Sequence, residues 1–248
     1  MSAFPNLLNT GLVVFTLTFV GGSLPTASHA SVRASAAVSL KSAAAATVRT
    51  IESSVFDADG WEGVALGAID RSVFALALES AQRAVERGEA EASTLTVIDF
   101  SRPSTERRLW VIDLRTRELL FEEHVSHGRN SGHNVPTSFS NEEGSYKSSL
   151  GLFRAAEGYY GKHGYSLRLD GLEKGFNDRA RERAIVVHGA AYVNPTLAKK
   201  QGRLGRSLGC PALRPAITRQ LIDAVKEGGL IFAYYPDPAW LKASTYLN

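Results

Sequence analysis

The 248-residue sequence predicts a mainly β, α+β protein with a helical N-terminal segment. Three observations carry that expectation. Short strand-like apolar runs recur after Ala92, and a helical apolar period of about 3.6 residues occupies the stretch before it. A composition of 44% hydrophobic and 21% charged residues supports a core without disulfide staples. The chain is organised around Ile185-Val-Val-His-Gly-Ala-Ala191 and Arg206-Ser-Leu-Gly-Cys-Pro-Ala212, the second holding the only cysteine.

In chain order, residues 1–30 carry no Asp, Glu, Lys or Arg, and an apolar run from Gly11 to Val20 leads to Ala27-Ser-His-Ala30. This reads as a secretory signal. The run is shorter than the roughly 20 apolar residues of a transmembrane helix, and no cysteine follows it to carry a lipid, so no membrane attachment beyond the export signal is expected. Residues 31–47 are Ala/Ser-rich, with only Arg33 and Lys41 charged, and read as a linker. In the helical segment, 48–92, Ile69, Val73, Leu76 and Ala77 share one face and Gly88 ends the helix.

From residue 93 the pattern turns to β. Leu95–Phe100, Arg108–Leu114 and Leu119–Val125 predict an antiparallel meander. The Gly, Asn and Ser-rich stretches from Ser126 to Gly151 and from Gly161 to Glu173 read as polar loops, where binding groups tend to sit. Ala184–His188 predicts a buried strand delivering His188 to its mouth. Ile217–Val225 predicts a short helix, broken by Gly228-Gly229, and Leu230–Tyr235 a final strand stopped by Pro236.

The formal net charge of +3 suits an anionic extracellular polymer. No Lys/Arg cluster with interleaved aromatics is present, so no nucleic-acid partner is expected. The densest basic stretch, Arg179 to Arg183, is broken by Glu182 and reads as a solvated face.

An exported chain with one thiol forms no internal disulfide, so Cys210 is a buried bystander or a reactive group. Ser207, Gly209 and Pro211 favour the second reading, because they predict a tight turn whose amides converge beside the sulfur. A thiol attacks only as thiolate and, with an ordinary pKa of about 8.5, needs a base or a positive neighbour. His188, 22 residues earlier, is the natural partner, and the Gly189 carbonyl the nearest group to orient its ring. The amides of Leu208, Gly209 and Cys210 are candidates for an oxyanion hole. His127, His133 and His163 invite a zinc reading, but they lack H-x-x-x-H or H-E-x-x-H spacing, and no metal is expected. Tyr159, Tyr160 and Tyr165 read as packing and rim residues. Glu122-Glu123 and Glu142-Glu143 are adjacent, and strand neighbours point to opposite faces, which argues against a glycosidase pair.

Gly128, Phe139-Ser-Asn141, Ser148-Ser-Leu-Gly151, Gly161-Lys-His-Gly-Tyr-Ser-Leu-Arg-Leu-Asp-Gly-Leu-Glu173, His188-Gly-Ala-Ala-Tyr-Val193 and Gly205-Arg-Ser-Leu-Gly-Cys-Pro-Ala212 together resemble the murein L,D-transpeptidase catalytic domain family. The resemblance covers roughly residues 93 to 235 and implies an L,D-transpeptidase-like β-sandwich or barrel catalytic domain over 93–248. The family's Ser/Thr-His-Gly-Cys is Ser207-Leu-Gly-Cys210 here, a variant Ser-x-Gly-Cys-Pro branch. By this resemblance Cys210 is the nucleophile, His188 the base, Gly189 the orienting carbonyl and Leu208-Gly209-Cys210 the oxyanion hole. Ser207, His163 and Arg214 are substrate-binding candidates, Arg214 standing four residues after the cysteine where many members have Arg at two.

The implied reaction is acyl transfer from the L-centre of the third residue of a peptidoglycan stem peptide, through a thioester, to an amine or to water. It needs no cofactor and places the protein in the periplasm or cell envelope. Two other classes share parts of this pattern. Sortase-like enzymes also run His, Cys, Arg but with a longer His-to-Cys separation, and papain-like wall peptidases place Cys before His. A catalytically silent wall-binding protein is kept open by Leu208.

Overall fold

The computed structural model describes residues 55–91 and 93–248. The expected signal, the linker and residues 48–54 lie outside the described residues. The described part of the helical segment holds a 3-10 turn, Ala58–Trp61, and one helix, α1 (Arg71–Glu86). Asp70 starts α1 because its carboxylate accepts the otherwise orphaned amides of Ser72 (2.8 Å) and Val73 (3.3 Å). Val73, Phe74, Ala77, Leu78, Ala81 and Ala84 form the buried stripe, which packs on β1 and β8 of the sheet described next. Gly88, at φ +70°, closes the helix.

The sheet has eight strands: β1 (Thr94–Asp99), β2 (Leu109–Asp113), β3 (Glu118–Glu123), β4 (Gly151–Gly161), β5 (Gly164–Gly171), β6 (Val186–Gly189), β7 (Ala212–Leu213) and β8 (Leu230–Tyr234). Their order is β3-β2-β1-β8-β4-β5-β6-β7, with β1/β8 and β6/β7 parallel and the other pairs antiparallel. Three further helices follow: α2 (Pro195–Gln201), α3 (Pro215–Val225) and α4 (Pro238–Ala243), each with proline in its first turn.

The expected meander is present as β1 to β3. The β4–β5 hairpin replaces part of what the polar pattern predicted as loop. Only the first half of β4 and the middle of β5 are buried; their far ends run out past the core, where no apolar alternation is needed. A register shift between Ala155 and Gly158 bends the hairpin, and Lys162-His163 make its two-residue turn beside Gly164 at φ +76°.

The two ends of the sheet are drawn together into a near-barrel. The chain leaving β3 donates the Ser126 amide to Ala212 O of β7 (2.9 Å). It then exchanges bonds with Ser207: Ser207 N to His127 O (2.9 Å) and Arg129 N to Ser207 O (2.8 Å). Beneath this seam Arg108 is fully buried, donating to Val125 O (2.9 and 3.1 Å), Arg102 O (2.8 Å) and His127 Nδ1 (2.8 Å). At the far side Glu173, also buried, accepts from Leu152 N (2.7 Å) and Trp240 Nε1 (2.9 Å), fastening α4 to the hairpin. Among the described residues no helix is long and apolar enough to cross a membrane.

Hydrogen bonds to Asp70, the Ser72 hydroxyl first, hold its carboxyl below the ordinary range. The cap therefore stabilises fully above the ordinary carboxylate value and fades as pH falls through the lowered one. We predict that Asp70→Ala costs about 1 kcal/mol at neutral pH. In urea unfolding the gap to the wild-type protein narrows on acidification; a gap that is absent at neutral pH or widens in acid contradicts this.

Candidate active site

Strand alternation in β6 sends Ile185 and Val187 into the core and turns Val186 and His188 to the opposite face. His188 pairs with Ser166 on one side and Ala212 on the other. Two residues back in the same parallel register Cys210 comes level with Val186, whose amide is directed at the sulfur. Cys210, His188, His163, Ser207 and Leu208 all line one cleft of about 320 Å³.

The turn before β7 is held from within. Gly209 has φ +129°, and a Cβ there would stand 2.9 Å from both Ile185 Cδ1 and Lys147 O. Ser207 Oγ donates to Cys210 O (2.6 Å) and accepts from Gly209 N (3.1 Å). Ser148 Oγ donates to Gly209 O (3.1 Å) and accepts from Gly128 N (3.0 Å). Two expectations change as a result. The Ser207 hydroxyl is spent on the turn and not turned to a ligand, and the Gly209 amide is engaged by that hydroxyl. The Leu208 side chain projects into solvent, 54% exposed, so this position meets the turn through its backbone.

The Cys210 thiol donates to Ala184 O at 3.7 Å. Burial pushes its pKa up, against the pull of the Val186 amide, Arg183 and Lys162. His188 Nδ1 lies 3.0 Å from Gly189 O. A carbonyl only accepts, so Nδ1 carries the proton and Nε2 presents a lone pair. Burial pushes the imidazole pKa down, the Gly189 carbonyl opposing and His163 and Lys162 assisting. The His163 ring, at the hairpin tip, stacks on His188 with centroids 4.4 Å apart and planes at 26°. Gly189 is small because α3 packs over it: a Cβ would lie 2.9 Å from Thr218 Oγ1.

Arg214 is not brought to the cleft. Its guanidinium pairs with Glu123 at the end of β3, Nε to Oε2 at 3.1 Å and Nη2 to Oε1, so it fastens the barrel seam and is not placed to hold a substrate carboxylate. The three histidines weighed for zinc go to separate partners: His127 to Arg108, His133 to Arg203 and His163 to the His188 ring. Burial first, then Arg108, pushes His127 down to about 3. Among the described residues no three His, Cys, Asp or Glu side chains group as a metal site. Arg219 lies over the rings of Tyr160 and Tyr165, whereas Tyr159 carries Arg168 on its face and reaches the cleft.

The cleft also takes in Lys162, Arg183, Tyr192 and Arg206, and among the described residues no Asp or Glu lines it. Lys162 and Tyr192 carry no signal in the sequence that marks them as cleft residues. Arg183 corrects the solvated-face reading of 179–183. Arg179 and Arg181 are exposed and paired with acids, but Arg183 is half-buried just before the chain reverses at Ala184 (φ +52°). A larger cavity, about 570 Å³, lies between the 3-10 turn and α1; Trp61, Phe74 and Leu78 line it, and among the described residues neither Cys nor His does.

The family model for the L,D-transpeptidase catalytic domain matches residues 66–234, more than half of the chain, and the protein belongs to this family. The match takes in α1, which shares one hydrophobic core with the sheet. Comparison with curated proteins finds no match. Among solved structures, an L,D-transpeptidase from Mycobacterium smegmatis is 18% identical with TM-score 0.37, covering 58% of this chain and 59% of that one. The helical cell shape determining protein Pgp2 from Campylobacter jejuni is 13% identical with TM-score 0.39, covering 58% and 48%. An L,D-transpeptidase from Xylanimonas cellulosilytica is 16% identical with TM-score 0.33, covering 62% and 68%. The assignment rests on the family match, not on these.

The turn geometry gives a direct expectation. Gly209→Ala forces a Cβ against Lys147 O at a left-handed φ and should destabilise the protein by about 2 kcal/mol. Chemical denaturation measures it; a cost below about 0.5 kcal/mol means that the turn relaxes freely.

Proposed function

We propose that the chain is a peptidoglycan-remodelling L,D-transpeptidase with Cys210 as nucleophile. The observation that carries this reading is the family match together with the single cysteine and His188 on one cleft. His188 is held by Gly189 so that Nε2 is free to exchange a proton. The thiolate attacks the carbonyl at the L-centre of the third stem-peptide residue, forming a C–S bond and an oxyanion met by the Leu208 and Cys210 amides. Collapse breaks the C–N bond to the terminal D-alanine, whose nitrogen takes the proton that His188 Nε2 accepted from the Cys210 thiol, leaving a thioester. An amine of a neighbouring stem then breaks the thioester and returns the thiolate, giving up its proton to His188. Water in its place makes the same enzyme a carboxypeptidase.

The cleft's cations, with no carboxylate among the described residues lining it, support an anionic peptide as donor, with His163 on the His188 ring as a wall of the donor site. Residues 1–30 are proposed as an export signal, 31–47 as a tether and 93–248 as the catalytic domain, in a periplasmic or envelope location. The exposed Leu208 side chain keeps a silent wall-binding protein as the second reading, since a leucine there supplies no side-chain donor.

The test is mass spectrometry of a disaccharide tetrapeptide from diaminopimelate-type peptidoglycan after incubation with the protein, with Cys210→Ala and with His188→Gln. Loss of D-alanine with a crosslinked dimer is expected of the wild type, none of Cys210→Ala, and a rate at least about 100-fold lower of His188→Gln. D-Alanine loss without a dimer means hydrolysis. An unchanged tetrapeptide in every sample sinks the enzyme reading.

A further inference from the structure

Arg214 is the carboxylate-binding candidate of the sequence, and Glu123 closes it off. Arg206 is the opposite case. It stands four residues before Cys210, at the foot of the same turn, and lines the same cleft. Its backbone is pinned on both sides: Gly205 N donates to Tyr192 O (3.0 Å) and Ser207 N to His127 O (2.9 Å). Gly205 permits that approach, because a Cβ there would lie 2.5 Å from Tyr192 Cβ.

The side chain is held through one nitrogen. Nη1 donates to Gly132 O (2.7 Å) and Arg129 O (2.9 Å). Nε and Nη2 find no hydrogen-bond partner among the described residues. That pair is the side-on fork by which an arginine takes both oxygens of one carboxylate. No acid answers the charge either. Burial first and the charge of Arg203 next push the Arg206 pKa below the ordinary arginine value. Arg203 spends its own donors on His133 Nε2 (3.1 Å) and Leu204 O (2.9 Å), and among the described residues no carboxylate pairs with either arginine. A partly buried guanidinium tied to neutral carbonyls beside like charge gains when an anion meets it.

The other cations of the cleft offer less. Arg183 spends both terminal nitrogens on Ser140 O, Ser149 Oγ, Lys147 O and Ser145 Oγ. Lys162 sits exposed at the hairpin tip and presents a point charge without a fork. We infer that Arg206 is a carboxylate-binding residue of the donor site, its Nε–Nη2 fork taking a free carboxylate of the stem peptide beside the scissile bond. Arg203 raises the positive potential there. Two carboxylates qualify: that of the departing D-alanine, and the one on the second centre of the diaminopimelate whose L-centre is attacked. The inference rests on the proposed reaction for the identity of the ligand, and it gives Arg206 no part in making or breaking bonds.

The test begins with the full chain carrying Cys210→Ala, which does not turn over. Calorimetry measures its binding of three donors: the disaccharide tetrapeptide, the same with its terminal D-alanine amidated, and the same with the second diaminopimelate carboxyl amidated. Arg206→Gln, Arg206→Lys and, as a charge control on α4, Lys242→Gln are each added to that parent, and thermal unfolding confirms that each is folded. Charge-assisted bonds to one carboxylate are worth about 10- to 100-fold in affinity. Arg206→Gln should weaken the unmodified donor by that factor, Arg206→Lys by less, and Lys242→Gln not at all. One of the two amidated donors should bind the parent as weakly and lose nothing further in Arg206→Gln; which one does so identifies the carboxylate. Equal affinity of Arg206→Gln and its parent overturns the inference, as does an equal loss with all three donors or no binding by the parent. Should Arg206→Gln not fold, Arg206→Lys decides: a loss confined to donors that keep the carboxylate upholds the inference, and unchanged affinity overturns it. With Cys210 restored, Arg206→Gln should raise KM for D-alanine release and leave kcat near the wild-type value. Arg206-dependent binding without D-alanine release by the wild type overturns the transpeptidase reading and leaves this one standing. Release that Arg206→Gln does not alter does the reverse.

Discussion

The site depends on a seam of main-chain hydrogen bonds between Ser126–Arg129 and the segment Ser207–Ala212. Without it the turn bearing Cys210 is a flap at the edge of an open sheet, and β7, only two residues long, has little else to define its position. The seam is backed by Arg108, whose complete burial is tolerable because Val125 O, Arg102 O and His127 Nδ1 take up its donors. Its pKa nevertheless drops to about 9, burial outweighing the nearby Asp99. His127 is neutral for the same reason, which suits it to accept from arginine and not to titrate.

This seam turns a strand end and a turn into one cleft. β6 delivers His188 by alternation, the glycine turn delivers Cys210, and the β4–β5 hairpin reaches over both with Lys162 and His163. Enclosure by these elements moves the two side chains in opposite directions, the thiol up and the imidazole down. Burial alone therefore favours two neutral groups. The cations around the cleft work against that preference on the sulfur side, and the Gly189 carbonyl sets the imidazole tautomer.

Local geometry explains why the turn tolerates Leu208. That side chain stands in solvent, while the conformation of the turn is carried by Ser207, Gly209 and Ser148 through bonds that no residue at position 208 takes part in. Arg214, in contrast, is used by the fold: paired with Glu123, it joins the end of β7 to the end of β3.

The sequence by itself determined the meander, the strand ending in His188, α1 and the core of α3. In each, apolar periodicity and the burial it drives are local properties of consecutive residues. It also singled out Cys210, His188 and Gly189, because a lone thiol near a glycine turn and a His-Gly step are rare local patterns. Tertiary structure decided the rest. The β4–β5 hairpin carries its polar outer half past the core, so its sequence lacks the alternation that marks a strand. The inward course of Arg183 and the pairing of Arg214 each depend on a partner 34 or more residues away, and the Ser207 hydroxyl on a turn whose backbone is held from outside by Ser148. Charge and hydrogen-bond partners are chosen by distance in space, and a chain read residue by residue contains no measure of that distance.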